Sequence, residues 1–227
     1  IGLFPDVGAG TYLSRLPGQL GKFLALTGAR LDGAECLWAG LATHYLEAEN
    51  LAEAKALIAA EPLAAGDILS DLASPPPPAR LAGNAARINR LFAPDTLEGI
   101  VAALKADGSD WAGKELKAVT TRCPTSAKVA LHQLALAPTQ ADFAAEMELE
   151  YRLAARMIMR PDFAEGVRAV LVDKDNAPRW RPAKPDEVDA ETLNAIFAPL
   201  PDGEQWTPFG CANGGGERIS RMRPREH

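Results

Sequence analysis

The sequence is poor in cysteine and in aromatic residues, and it contains no long apolar run. Its 227 residues include three cysteines, Cys36, Cys123 and Cys211, and none of them forms a Cys-x-x-Cys pair. An odd number of widely spaced thiols argues against a disulfide framework and against a zinc site, and it predicts reduced thiols in a cytoplasmic compartment. No apolar run approaches the ~20 residues that span a bilayer, so we predict no membrane partner.

Positive charge is also scarce. The chain has 24 Lys and Arg against 30 Asp and Glu, a net charge of -6. No stripe of cations interleaved with aromatic residues is present, so we predict no nucleic-acid partner. A CoA-type ligand stays compatible, because its phosphates need only a local cluster of basic groups. The sequence lacks a GxxxxGK[ST] loop, and Gly8-Ala9-Gly10 lacks the third glycine of a dinucleotide site. The three histidines share no ligand spacing, so we predict no metal.

The most informative segment that is present is the first one, Ile1-Gly2-Leu3-Phe4-Pro5-Asp6-Val7-Gly8. It places the Asp6 carboxylate between a proline that fixes the backbone and a glycine that frees it, and such a turn can hold an acid at the wall of a site. Local sequence leaves it equally open that Asp6 only caps the helix that follows. The chain starts with Ile1 and has no Met before Met147. We therefore expect a fragment or a processed product whose site is partly present and whose targeting segment, if one existed, is lost.

Helical periodicity dominates the rest of the chain. Residues 40–46, which begin with Gly40, have the composition of a short strand. The tract Ser74-Pro75-Pro76-Pro77-Pro78 predicts a stiff surface connector. The expected helices cover residues 11–26 with a break at Pro17-Gly18, 31–38, 50–60, 80–92, 96–105, 110–119, 124–136, 139–160, 162–172 and 186–197.

Two helix starts have the spacing of a capping box, Thr139-x-x-Asp142 and, directly after Pro161, Asp162-x-x-Glu165. Within the helix that Thr139 opens, Glu148 and Arg152 form an i,i+4 pair. The cluster Glu146, Glu148 and Glu150 is predicted to be the solvated face of this helix. Cys36 and Cys123 are predicted to be core thiols, because neither has an identifiable histidine partner. Asp6 is then the one good catalytic candidate.

Several segments together resemble a known family. They are IGLFPDVG (1–8), YLSRLPG (12–18), LALTG (24–28), GLATH (40–44), CPTS (123–126), EYRL (150–153), FAEGVRAVLVDKD (163–175) and PRWRP (178–182). They look like the 3-hydroxyisobutyryl-CoA hydrolases, a thioesterase branch of the crotonase (enoyl-CoA hydratase/isomerase) superfamily. The resemblance covers about residues 1–200, and the Pro-Asp-Val-Gly turn favours this branch over the ordinary hydratases, whose equivalent turn is rich in glycine and alanine.

The resemblance implies an α/β crotonase-like fold (the ClpP/crotonase spiral) for the family. For this chain it implies a mainly α-helical fragment with at most a few short strands. Residues 1–73 would be the C-terminal part of the crotonase core, residues 74–200 the helical C-terminal region, and residues 201–227 a disordered tail rich in glycine and arginine.

The resemblance also implies an activity, namely hydrolysis of 3-hydroxyisobutyryl-CoA, and of 3-hydroxypropionyl-CoA, in valine breakdown. CoA is then part of the substrate, and no cofactor is expected. Two oxyanion-binding amides and a glutamate three residues before Ile1 would be missing from the chain. Asp6 matches the family acid that lies beside the acyl group and its hydroxyl.

Lys174 aligns loosely with a CoA-contacting lysine of some crotonases, although a solvated charge near a helix end explains it as simply. Two other functions stay open. One is an enoyl-CoA hydratase or isomerase on the same scaffold. The other is a non-catalytic helical assembly fragment, since relatives oligomerise through their C-terminal helices and a homo-oligomer is possible here.

Overall fold

Every regular element in the computed structural model is helical, and the structure describes residues 1–206. The helices are α1 (Ala9–Leu13), α2 (Leu20–Thr27), α3 (Gly33–Trp38), α4 (Leu51–Ala60), α5 (Ala65–Leu72), α6 (Ala85–Leu91), α7 (Leu97–Asp107), α8 (Asp110–Thr121), α9 (Pro124–Leu136), α10 (Phe143–Met157), α11 (Pro161–Val167) and α12 (Ala190–Phe197). A π-helical turn, Arg168–Val172, continues α11. Short 3₁₀ turns are Ala48–Asn50, Pro62–Ala64, Arg80–Asn84, Ala137–Thr139 and Pro185–Glu187. The prediction of a mainly helical chain is confirmed for this range.

Side-chain caps explain where many of these helices begin. Asp32 accepts from the Glu35 amide at 2.9 Å while the Glu35 carboxylate accepts from the Asp32 amide at 3.0 Å, a complete capping box. Such caps satisfy amides that have no partner within the helix, and each is worth ~1 kcal/mol. Single side-chain caps begin four further helices, at Thr96, Ser109, Asp142 and Asp189.

The predicted break at Pro17-Gly18 is confirmed, since α1 ends at Leu13 and α2 begins at Leu20. Gly18 has a φ of 61°, which a residue with a side chain rarely adopts. The break lets α2 fold back onto α1 at very short range. A Cβ added to Gly21 would lie 2.0 Å from the Leu13 carbonyl oxygen.

Within residues 1–206, two apolar clusters form the interior. The larger contains buried residues of α1, α2, α6, α7, α8 and α9, with Phe23 packed edge-on against Phe92 at 5.4 Å between ring centroids. The smaller joins α9, α10 and α12 around Phe4. Helix α9 contributes to both. The larger cluster includes residues from both sides of the predicted boundary at 73/74, and that division of the chain stays a prediction.

The strand predicted at residues 40–46 is wrong for the described structure. Gly40 has a φ of 76°, and the amides of Leu41 and Ala42 both turn back to the Cys36 carbonyl, at 2.8 and 3.2 Å. These amides therefore end α3 instead of joining a ladder. A strand needs a neighbouring strand to pair with its amides, and no residue of 1–206 belongs to a strand.

The two predicted capping boxes are wrong in detail. Thr139 lies in a 3₁₀ turn and donates its hydroxyl to the Leu136 carbonyl, whereas Asp142 caps the later helix α10 through the Ala145 amide at 2.9 Å. Helix α11 begins at Pro161. Asp162 is buried within it, where it accepts from the Arg181 amide at 2.7 Å.

No helix among residues 1–206 is long and apolar enough to cross a membrane. Residues 201–206, the start of the predicted tail, form no helix or strand. The rest of that tail, including Cys211, lies outside the described residues.

Candidate active site

Asp6 lies in a turn between a buried anchor and a short helix. Phe4 is buried in the smaller cluster, and α1 begins at Ala9. Between them Val7 and Gly8 have φ angles of 60° and 79°. A left-handed conformation is disfavoured for a β-branched residue by about 1–2 kcal/mol, so the rest of the structure must hold Val7 in it. The turn exposes the side chains of Asp6 and Val7 to solvent.

The alternative that the Asp6 side chain caps α1 is wrong. The N-cap residue is Gly8, and the Asp6 group that bonds to the helix is its main-chain oxygen, which accepts from the Ala9 amide at 3.1 Å. The carboxylate of Asp6 is thus presented outward. This geometry is compatible with a substrate-facing acid, and the catalytic role itself stays a prediction.

A buried carboxylate lies against this turn. The Gly8 amide donates to both oxygens of Glu150, at 3.0 and 2.9 Å. The side-chain amide of Gln133, on α9, donates to Glu150 Oε1 and to Glu146 Oε1, each at 3.3 Å. Glu150 is 3% exposed and Glu146 is fully buried.

The predicted solvated acidic face is therefore wrong for Glu146 and Glu150. Glu148 does face solvent, and its predicted pair with Arg152 is confirmed at 3.5 Å. A signal in the sequence could have corrected the error. Glu146 and Glu150 share one helix face with the apolar residues Leu149, Leu153 and Met157, at the spacing of a buried stripe.

Burial raises the pKa of Glu150, and the carboxylates of Glu146 and Asp6 raise it further. The amides of Gly8 and Gly10 act in the opposite direction, because they stabilise the ionised form. The contribution of Asp6 to this pKa means that the exposed candidate acid and the buried Glu150 interact through space.

A cavity of about 250 Å³ lies next to the turn. Leu3 and Pro5 line it, and the start of α9 contributes Cys123 and Ser126. Burial is the main cause that raises the pKa of the Cys123 thiol. A raised thiol pKa leaves little thiolate near neutral pH, which fits the predicted core thiol better than a nucleophile. Cys36 and Cys123 are both free thiols.

Lys174, the second predicted site residue, is exposed with a φ of 58° in the loop after the π turn. Its predicted contact with CoA stays a prediction. Arg168, the first residue of the π turn, binds the acidic residues on both sides of this turn, and sequence reasoning missed it. Arg168 pairs with Glu165 at 2.8 Å, Asp173 at 2.6 Å and Asp175 at 2.7 Å. No three His, Cys, Asp or Glu side chains of residues 1–206 are grouped to hold a metal.

Glu165→Gln is expected to destabilise the chain at neutral pH, and the difference from wild type should shrink as the pH falls. The hydrogen bond from Arg168, together with the Arg179 amide, lowers the pKa of Glu165 from 4.5 to about 2. A carboxylate whose pKa is lower in the folded than in the unfolded state stabilises the fold at pH values above its unfolded-state pKa. This stabilisation is lost as the pH falls through the folded-state pKa. Urea unfolding midpoints of both proteins, measured from about pH 7 to about pH 3, test this.

The matched control is Glu148→Gln, since Glu148 is also a surface glutamate paired with an arginine, at the longer distance of 3.5 Å. It should change the midpoint little at any pH. If the urea midpoints of wild type and the Glu165 variant differed by the same amount over the whole pH range, the prediction would be contradicted.

A family model described as Enoyl-CoA hydratase/isomerase matches residues 1–197. The chain is 43% identical over 209 residues to a protein of Gallus gallus named "3-hydroxyisobutyryl-CoA hydrolase, mitochondrial", and 40% identical to the Homo sapiens protein of that name. In each case the match covers 88% of this chain and 54% of the relative. The chain thus spans about half the length of these curated relatives.

Two solved structures share the fold. One is a carnitinyl-CoA dehydratase from Mycobacterium thermoresistibile, with a TM-score of 0.82 and 35% identity over 88% of this chain and 57% of that chain. The other is an enoyl-CoA hydratase from Rhodobacter sphaeroides, with a TM-score of 0.79 and 36% identity over 91% of this chain and 59% of that chain. The resemblance inferred from the sequence is confirmed, and so is the crotonase fold. The chain belongs to the enoyl-CoA hydratase/isomerase family.

Proposed function

We propose that this chain forms the acyl-binding part of an acyl-CoA thioester hydrolase that acts on 3-hydroxyisobutyryl-CoA and on 3-hydroxypropionyl-CoA. The observation that carries the proposal is the turn Pro5-Asp6-Val7-Gly8, in which Pro5 lines the cavity and the next residue, Asp6, presents an exposed carboxylate. The names of the relatives that are 37–43% identical support the same substrate class.

In the proposed reaction, a water oxygen bonds to the thioester carbonyl carbon and the carbon–sulfur bond breaks. The thiolate of CoA leaves and takes up a proton. Asp6 accepts a hydrogen bond from the 3-hydroxyl of the acyl group, which orients the carbonyl for attack. The acyl group therefore needs a hydroxyl on carbon 3 to be held well.

Thioester hydrolysis also requires a carboxylate that attacks or activates water, and donors for the developing oxyanion. We do not assign these two roles to residues 1–206. In the proposal they belong to a longer polypeptide of the relatives' length, as the sequence resemblance implies. CoA enters as part of the substrate, so the proposal contains no cofactor. A cytoplasmic location and a homo-oligomer remain predictions, and the curated relatives are named as mitochondrial.

The proposal is tested by thiol release from 3-hydroxyisobutyryl-CoA, measured on the 227-residue chain and on an extended form of the relatives' length. Hydration of crotonyl-CoA is followed in parallel, because the two solved neighbours are named as a dehydratase and a hydratase. Thiol release that exceeds hydration in either form supports the hydrolase. Hydration without thiol release would favour the hydratase or isomerase alternative. A defined oligomeric mass without either activity would favour the assembly fragment.

A further inference from the structure

The turn that carries Asp6 is held by a residue far away in the sequence. Gly8 and Glu150 are separated by 142 positions, and the Gly8 amide contacts both oxygens of the Glu150 carboxylate, at 3.0 and 2.9 Å. The contact is buried. Loss of this acceptor would leave a buried amide without a partner, which is costly, so the contact anchors the turn.

Glu150 replaces a cap that the local sequence does not provide. Helix α1 has Gly8 as its N-cap, and glycine has no side chain to accept from the first amides of the helix. The Gly10 amide as well as the Gly8 amide stabilises the ionised form of Glu150. The Ala9 amide donates to the Asp6 carbonyl and the Thr11 amide to the Gly8 carbonyl, and the Glu150 carboxylate from α10 accepts from the amide of the N-cap residue itself.

The position of Glu150 is itself fixed by its neighbours. On α9, Gln133 Nε2 bridges Glu150 and Glu146 at 3.3 Å to each. Gly10 leaves the space that this group needs, since a Cβ there would lie 1.9 Å from Glu146 Oε1. The charged or titratable groups that face Glu150 are Glu146 on its own helix and Asp6 on the turn.

The left-handed backbone of the turn needs such an anchor. Val7 has a φ of 60°, which its branched side chain disfavours, and Gly8 follows with 79°. If the Gly8 amide were released, the turn could relax toward conformations in which Asp6 points elsewhere. The anchored Gly8 amide is only two residues from Asp6, so the position of this amide determines where the Asp6 side chain lies.

We propose that Glu150 is a positioning residue, which holds the Gly8 amide and thereby keeps the exposed Asp6 carboxylate in place on its turn. Its consequence for catalysis rests on the proposed hydrolase function. Its structural part, the anchoring of the turn, does not. Two experiments separate these parts.

The first experiment measures amide hydrogen exchange at Gly8 by NMR in the 227-residue chain. Glu150→Gln keeps the shape of the side chain but removes its charge and one acceptor oxygen, and exchange at Gly8 should become at least about tenfold faster. Glu148→Gln, on the exposed face of the same helix, is the control and should exchange like wild type. Gly8 protection that is equal in wild type and Glu150→Gln would overturn the proposal.

The second experiment is a double-mutant cycle in kcat, run in whichever form releases thiol. Glu150→Gln alone should lower kcat by about 10-fold to 100-fold, because misplacing a catalytic group costs that much. In an Asp6→Asn background it should lower kcat little further, since it acts through Asp6. If Glu150 had only a structural role, Glu150→Gln would lower kcat by the same factor in both backgrounds. That additive result would overturn the proposal.

The two failures are distinguishable. If wild type releases no thiol in either form, the hydrolase function fails, and the exchange experiment alone decides whether Glu150 anchors the turn. If wild type is active and Asp6→Asn lowers kcat while Glu150→Gln does not, the function stands and the positioning role is wrong.

Discussion

Asp6→Asn is expected to lower kcat for thiol release from 3-hydroxyisobutyryl-CoA by about 100-fold, with a much smaller change in KM. The substitution keeps the size of the side chain and removes the negative charge. The 3-hydroxyl then loses a charged acceptor, and the acyl group is held less well in the geometry of attack. A loss of 100-fold corresponds to about 2.7 kcal/mol of transition-state stabilisation.

The same variant should fold as stably as wild type, because the Asp6 side chain is exposed and does not cap α1. Steady-state kinetics with 3-hydroxyisobutyryl-CoA in the active form gives kcat and KM separately, and urea unfolding checks the fold. Asp71→Asn, an exposed aspartate on α5, is the matched control and should leave kcat unchanged. An Asp6→Asn enzyme with wild-type kcat would show that Asp6 is an ordinary surface carboxylate.

Gly21→Ala is expected to destabilise the chain by roughly 2–3 kcal/mol, although it adds a single methyl group. The added Cβ would lie 2.0 Å from the Leu13 carbonyl oxygen and 2.8 Å from its carbonyl carbon. Both atoms are backbone, so no rotamer change can relieve the contact. Helices α1 and α2 must move apart, and α1 follows directly on the turn that carries Asp6. The melting temperature should fall by roughly 4–12 °C.

Gly113→Ala is the matched control for this prediction. Gly113 lies within α8, and no atom lies within 4 Å of the position that its Cβ would take. Alanine is a better helix former than glycine, so this variant should be more stable than wild type by up to about 1 kcal/mol. Calorimetry on the three proteins gives the comparison. Equal stabilisation by both substitutions would mean that α1 and α2 do not pack as closely as described.

Much of the helical framework was predictable because its signals are local. The break at Pro17-Gly18, the start of α3 after Asp32 and the start of α9 at Pro124 all depend on residues within a few positions. Proline restricts its own backbone and a capping side chain reaches only three residues, so neither needs information from the rest of the chain.

Features whose hydrogen bonds depart from the pattern expected of the local sequence were not predictable in the same way. The segment 40–46 has strand-like composition, yet its first amides bond back to Cys36. Asp162 has the spacing of a capping residue, yet it accepts from the Arg181 amide and is buried. In both cases the amides or the carboxylate form hydrogen bonds with other partners than those that the local sequence pattern predicts.

The sequence by itself determined the family, the helical framework and the candidate acid Asp6, because each is written in local patterns of residue type and spacing. The tertiary structure alone decided that Glu150 is buried against the turn of Asp6. That contact joins residues 142 positions apart. The spacing of residues along α10 indicates that Glu150 shares its buried face. Which group the carboxylate meets on that face depends on which elements pack together, and the spacing along one helix does not contain that information.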